Sequence, residues 1–156
     1  MPSFETCTSA PYSARQMYDL VADVEKYPEF LPLCDNLTVR QRRQDAQGNE
    51  VLVADMTVAY TMFRETFTTR VLLKPGALII ETAYVDGPFE HLENVWRFDD
   101  TDAGANCHFF IDYEFRSKTL GLVMAQVFDR AFRRFSDAFR ARADELYGAG
   151  GRSSVG

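Results

Sequence analysis

KTLGLVMAQVFDRAFRRFSDAFRARADELY, residues 118–147, is the stretch on which the fold turns. Leu120, Met124, Phe128, Ala131, Phe132, Phe135, Ala138, Phe139 and Leu146 recur at the three-and-four spacing of a helix with one buried stripe, and Arg130, Arg133, Asp137 and Arg140 fall on the other side. At about 1.5 Å per residue this helix is ~44 Å long. A rod of that length needs a broad, curved surface to lie on. Bulky Phe128 and Phe135 alternate with small Ala131 and Ala138, so the stripe is notched. A notch is either packed by side chains from the facing surface or left open for a ligand. Gly148 offers a left-handed position to end the helix, which bounds a domain of residues 1–147 and leaves 148–156 as a Gly/Ser-rich tail expected to be disordered.

The facing surface is written in the preceding residues, which read almost wholly as strand. Residues 38–43 lead through Gln47-Gly48-Asn49 into 51–60 as a hairpin, and strands at 64–74, 77–86, 90–99 and 107–116 follow. They are parted by Pro75-Gly76, Gly87-Pro88 and a polar turn at 100–105. Alternation places Leu52, Ala54, Met56, Val58 and Tyr60 on one face, Phe67, Val71 and Leu73 on the same side of the next strand, and Leu92, Trp96 and Phe98 opposite His91, Glu93 and Arg97. The last strand is the cleanest, with Cys107, Phe109, Ile111, Tyr113 and Phe115 against His108, Asp112, Glu114 and Arg116. Such alternation marks a sheet with one dry and one wet face, and short turns make it antiparallel.

At the start of the chain, residues 4–10 form a Thr-rich first strand closed by Pro11. Ser13 and Gln16 have capping-box spacing, Tyr12 and Met17 have hydrophobic-staple spacing, and Met17, Leu20, Val21 and Val24 make the buried stripe of a helix. Pro28 is expected to break that helix at Tyr27, and Pro32 to end a short second one. Residues 27–33, YPEFLPL, are unusually apolar for a connection and either dock on the core or line something. The order predicts an α+β fold: a curved antiparallel sheet of about seven strands around a long C-terminal helix, with two short helices after the first strand.

Composition narrows the function. The 156 residues suit one domain, and a net charge of −6 with Lys only at 26, 74 and 118 argues against a nucleic-acid-binding surface. Cys7, Cys34 and Cys107 are odd in number, far apart and lack C-x-x-C spacing, which fits reduced thiols in a cytoplasmic protein and neither a disulfide frame nor a metal site. The first ten residues carry no secretory signal, and no stretch reaches the apolar length that spans a bilayer. No phosphate loop, nucleophile elbow or metal-ligand spacing is present. His91 and His108 fall on the wet phase of their strands, as do Asp112 and Glu114, which read as a solvated pair; Asp55 is likewise expected to be exposed. Tyr60, Trp96 and Tyr113 point inward with polar tips that need partners. On the helix, Arg130, Arg133, Arg134, Arg140 and Arg142 are offset by Asp129, Asp137, Asp144 and Glu145, so a solvated face is favoured over a lipid-headgroup site.

The element order, together with YDLV (18–21), DVEKYPEFLPLC (23–34), GPF (87–89), Leu92, WRF (96–98), YEFRS (113–117) and RARADELYG (140–148), resembles the START-like (helix-grip, SRPBCC, Bet v 1-like, polyketide cyclase/dehydrase) superfamily, and within it the coenzyme Q-binding family. The resemblance spans nearly the whole chain, and residues 24–34 are its most specific part. It implies ubiquinone or a related polyprenyl quinone as bound ligand, no catalytic cofactor and no enzymatic activity. It also implies a carrier or chaperone role in respiratory electron transport, in the cytoplasm and peripherally at the inner membrane. Bacterial members are also known as ribosome-association toxins, so action on ribosomal subunits is one alternative, and cyclase or dehydratase chemistry on an aromatic polyketide is another. A lipid pocket in this chain is expected to have Met56, Val58, Tyr60, Phe67, Trp96, Phe109, Ile111 and Tyr113 as its sheet wall. Met124, Phe128, Ala131 and Phe135 form its helix wall, and Phe30, Leu31 and Pro32 its mouth.

Overall fold

Alternating strands joined by short turns pair with their sequence neighbours, and the computed structural model, which describes residues 3–148, has that topology. The chain runs β1 (Ser3–Ala10), α1 (Ala14–Ala22), a 3-10 helical turn (Val24–Glu29), β2 (Cys34–Gln44), β3 (Glu50–Tyr60) and β4 (Phe63–Lys74). It continues through β5 (Ile79–Asp86), β6 (Phe89–Thr101), β7 (Gly104–Phe115) and α2 (Lys118–Ala143), and closes in a π-helical turn (Asp144–Gly148). One seven-stranded sheet has the order β1-β7-β6-β5-β4-β3-β2, antiparallel throughout. Register shifts in the β2–β3, β4–β5 and β6–β7 pairs bend the strands so that the sheet curves. Helix α2 lies in the concave face, where its Phe132 is 6.2 Å from Phe4 of β1 and its Phe128 is 6.3 Å from Phe63 of β4. Strand β2 is an edge, and along it Arg40, Gln41, Arg42 and Arg43 are exposed.

Helix α1 begins as its sequence dictates. The Ser13 hydroxyl accepts from the Gln16 amide at 3.0 Å, and the Gln16 side chain accepts from the Ser13 amide at 3.0 Å, which closes the capping box. Its end differs from the sequence expectation. The break falls at Asp23 (φ −83, ψ 68), and Pro28 sits inside the following 3-10 turn. A 3-10 turn accommodates Pro because the ring's fixed φ suits it, and the bonds that hold this one are donated by Lys26 to Asp23 and by Phe30 to Tyr27.

The far end of α2 also departs from a simple continuation. The wider π turn at Asp144–Gly148 shifts the helical phase, so Leu146, placed in the stripe by its spacing, is 48% exposed. Tyr147 and Gly148 turn inward in its place: Tyr147 donates to the Gln16 carbonyl at 3.1 Å, and the Tyr12 hydroxyl donates to Asp144. Gly148 keeps a negative φ and so is not a left-handed cap. Positions 149–156, where a tail is expected, lie outside the described residues.

Between α2 and the sheet, aromatic rings form the densest part of the core. Phe89 is fully buried, stacked on Phe115 at 4.7 Å and edge-on to Phe67 at 5.1 Å. Removing that ring leaves a hole bounded by groups that cannot all close on it. We expect Phe89→Ala to cost about 3–5 kcal/mol in urea-unfolding stability, whereas Leu146→Ala should stay within about 0.5 kcal/mol of the parent.

Candidate functional site: an apolar cavity under the C-terminal helix

Helix α2 does not cover all of the concave face, and a cavity of about 120 Å³ remains between them. Its sheet wall takes Ala54, Met56 and Val58 from β3, Phe67, Thr69 and Val71 from β4, and Ile80 and Thr82 from β5. Leu92, Asn94 and Trp96 from β6, with Phe109 and Ile111 from β7, continue it. The helix wall is Phe128, Phe132, Phe135 and Phe139. Phe89 at the start of β6, Val24 and Tyr27 of the 3-10 turn, the connecting Leu31, Pro32 and Leu33, and Cys34 and Leu37 of β2 complete the lining. Half-exposed Pro32, Leu33 and Leu37 form its rim at the β2 edge, and Met56, Thr82, Asn94 and Phe135 elsewhere in the lining are also half-exposed. Leu33 reaches the lining from a left-handed backbone conformation (φ 69), held by the bond from the Ala59 amide to its carbonyl at 3.0 Å.

Most residues expected as a pocket surround this space: Leu31, Pro32, Met56, Val58, Phe67, Trp96, Phe109, Ile111, Phe128 and Phe135 all line it. Five expected residues do not. Phe30 turns away to pack on Phe139 at 5.2 Å with the Arg142 guanidinium 5.3 Å from its ring, so it anchors the connection and leaves the rim to Pro32 and Leu33. Tyr60 is 42% exposed, because it ends β3 at the turn into β4. Tyr113 is buried, but its ring is engaged by Phe89, Phe115, Phe128 and Phe132. Met124 and Ala131 are buried in the helix–sheet core outside the lining.

The lining contains no Asp, Glu, His, Lys or Arg. Its two titratable groups stay neutral. Burial pushes the Cys34 thiol up to about 12, and burial also drives the Tyr27 hydroxyl, which donates to the Val21 carbonyl at 2.5 Å, far above its ordinary range. The polar side chains Thr69, Thr82 and Asn94 were missed by sequence reasoning although each sits on the inward phase of its strand: Thr69 with Phe67 and Val71, Thr82 with Ile80, and Asn94 with Leu92 and Trp96. Their signal was a polar residue on a dry face.

Polar pairs occupy the sheet's other face. His91 Nε2 lies 3.3 Å from Asp112, and His108 Nε2 lies 3.0 Å from Asp99 and 4.0 Å from the Cys7 sulfur. Because one nitrogen of His108 serves both neighbours, the relay of a catalytic triad, which needs both ring nitrogens, is not formed. Asp55, expected to be exposed, is partly covered and accepts from the Thr68 hydroxyl at 2.6 Å.

A seven-stranded sheet gripping a terminal helix over an apolar cavity defines the START-like class, and solved structures agree. The solution structure of an 18 kDa protein from Caulobacter crescentus superposes with a TM-score of 0.80 at 32% identity, covering 96% of this chain and 100% of that one. The Zhui aromatase/cyclase from Streptomyces shares the fold with a TM-score of 0.78 at 19% identity, covering 96% of this chain and 98% of that one. The chain belongs to the polyketide cyclase/dehydrase and lipid transport family, whose model matches residues 10–140. It is 35% identical to the ribosome association toxin RatA of Escherichia coli over 96% of this chain and 91% of that protein. It is 31% identical to the mitochondrial coenzyme Q-binding protein COQ10 of Dictyostelium discoideum over 88% of this chain and 67% of that one. No helix among the described residues is long and apolar enough to cross a membrane.

The thiols report on burial. Below the free-thiol value of 9.0 both folded and unfolded states are protonated; above it the unfolded chain ionises, while burial holds Cys34 and Cys107 protonated up to about 12 and about 11. Stability from these two groups is therefore complete below pH 9.0 and falls as pH rises toward their folded values. At pH 8 we expect iodoacetamide to label exposed Cys7 at least about tenfold faster than Cys34 or Cys107, as read by peptide mass spectrometry.

Proposed function

We propose that this chain is a non-catalytic carrier that binds a polyprenyl quinone, or a close apolar relative, in the cavity beneath α2. The observation that carries this reading is a cavity lined mostly by aliphatic and aromatic side chains and free of charged ones. In scale, about 120 Å³ approaches the roughly 150 Å³ of an apolar protein cavity that stays dry and admits benzene. A ring fits such a space, and the tail runs on past Pro32 and Leu33. At about 0.8 kcal/mol per buried CH₂, each prenyl unit that enters adds substantially to affinity. The 31% identity to a protein named for coenzyme Q binding supports the ligand class.

Turnover has little support. Acid–base chemistry needs a group that gains or loses a proton near neutral pH, and Tyr27 and Cys34 are both held protonated by burial. A membrane visit, with the protein otherwise in the cytoplasm, is supported by apolar side chains beside the rim. Ala59, bonded to Leu33, leads into a turn where Tyr60 is 42% exposed and Met62 99% exposed. A second reading, association with ribosomal subunits, rests on the 35% identity to a protein named a ribosome association toxin. Sucrose-gradient profiles with and without overexpression test it: a changed proportion of joined subunits supports that role and an unchanged profile removes it.

Organic extraction of the purified protein followed by mass spectrometry should yield a quinone, and titration with a short-chain ubiquinone should saturate. Ala54, 2% exposed and lining the cavity, is the position at which to fill it. Ala54→Leu should weaken ubiquinone binding at least about tenfold while costing no more than about 3 kcal/mol in stability. Absence of both extracted lipid and saturable binding by the parent protein would overturn the carrier reading.

A further inference from the structure

The inward phase of three adjacent central strands carries one polar patch in an otherwise apolar wall. Thr82 of β5 is directly opposite Asn94 of β6 and, on its other side, Val71 of β4; Thr69 lies two residues from Val71 on the same face. The three side chains therefore converge on one part of the lining. The Asn94 amide donates to the Phe110 carbonyl of β7 at 2.8 Å, which fixes the side-chain orientation and leaves its Oδ1 and second amide hydrogen for another partner. Thr69 is only 6% exposed and Thr82 is half-buried, and among the described residues neither hydroxyl is engaged by another side chain or backbone group, so both face the cavity with hydrogen-bonding capacity to spare.

We infer that Thr69, Thr82 and Asn94 form the head-group subsite of the cavity, taking an uncharged ring that bears carbonyl or hydroxyl oxygens, with the ligand's apolar tail running toward the rim at Pro32 and Leu33. The inference rests on the carrier reading and adds to it an orientation and a selectivity. The orientation follows from topology: the patch spans β4 to β6 and the rim lies at β2, two to four strands away, or about 10–19 Å at a strand spacing of about 4.8 Å. The selectivity follows from charge. A carboxylate or phosphate head would enter a space with no cationic side chain to pair with it, and a buried unpaired ion is strongly disfavoured. Hydroxyls and an amide satisfy a neutral oxygen, which needs no counter-charge.

The test measures the affinity of the parent protein for three probes: a decyl-substituted ubiquinone, decylbenzene, and a fatty acid of similar length at pH 8. The same set is measured for Thr82→Val, for Thr69→Val with Thr82→Val, and for Asn94→Leu. The parent should bind the quinone at least about tenfold more tightly than the fatty acid anion. The Thr variants should lose about five- to tenfold in quinone affinity per hydrogen bond and keep or improve decylbenzene affinity. Asn94→Leu also breaks the bond to Phe110, so the Thr variants, which leave that bond in place, carry the conclusion. If the parent binds the apolar probes but the quinone-to-decylbenzene ratio is the same in every variant, or the fatty acid binds as well as the quinone, the subsite is overturned and the carrier reading stands. If the parent binds none of the three, both fall.

Discussion

One helix cannot cover seven strands. With strands about 4.8 Å apart the inner face is ~29 Å across, whereas a helix with its side chains is about 10–12 Å wide. Curvature draws the flanking strands toward α2, and α1 with its 3-10 turn covers part of the remainder, but apolar surface is left between them. Aromatic rings bridge much of the gap because they reach furthest per side chain: Phe128, Phe132, Phe135 and Phe139 extend from the helix to meet Phe89, Trp96, Phe109 and Tyr113 on the sheet. Where that reach fails, the cavity begins.

The same mismatch accounts for the chemistry of the space. A wall built from the dry phase of every strand is apolar by default, so carboxylates and guanidinium groups are sorted to the opposite face and the helix exterior. There they pair with one another, as in Arg64–Asp35 and Arg133–Asp129. Water is scarce on the inner side, which is why tyrosine and cysteine protons are held there. A ligand entering this environment would meet apolar walls and no charged side chain.

Much of the fold was legible because two periodicities, three-and-four along residues 118–139 and two along the strands, are nearly unbroken. Strand ends agree to within a few residues, and the capping box at Ser13 marks the start of α1 in both views. What was not legible depends on events that period alone does not encode. A single π turn rotated Leu146 to solvent; the break at Asp23 had no Pro or Gly to announce it; and Tyr60 kept the inward phase but outran the cover of the helix. In the site, alternation named the apolar walls, whereas Tyr113 and Met124 show that inward does not mean cavity-facing, since the same phase supplies the packed core. Thr69, Thr82 and Asn94 were readable in principle, because a polar residue on a dry phase is an exception that asks for a reason.

Strand β2 has a further consequence for how molecules of this kind coexist at high concentration. Its outer edge displays unpaired backbone groups, the arrangement that invites a strand from a neighbour. Arg40, Arg42 and Arg43 crowd that edge, and Arg42 is already held by Glu25 and Glu50. With Arg40 also paired to Asp55, a second copy approaching edge to edge would have to displace or desolvate these long charged side chains, which makes fibrillar stacking costly. The open side that admits a greasy guest is thereby guarded against its own kind.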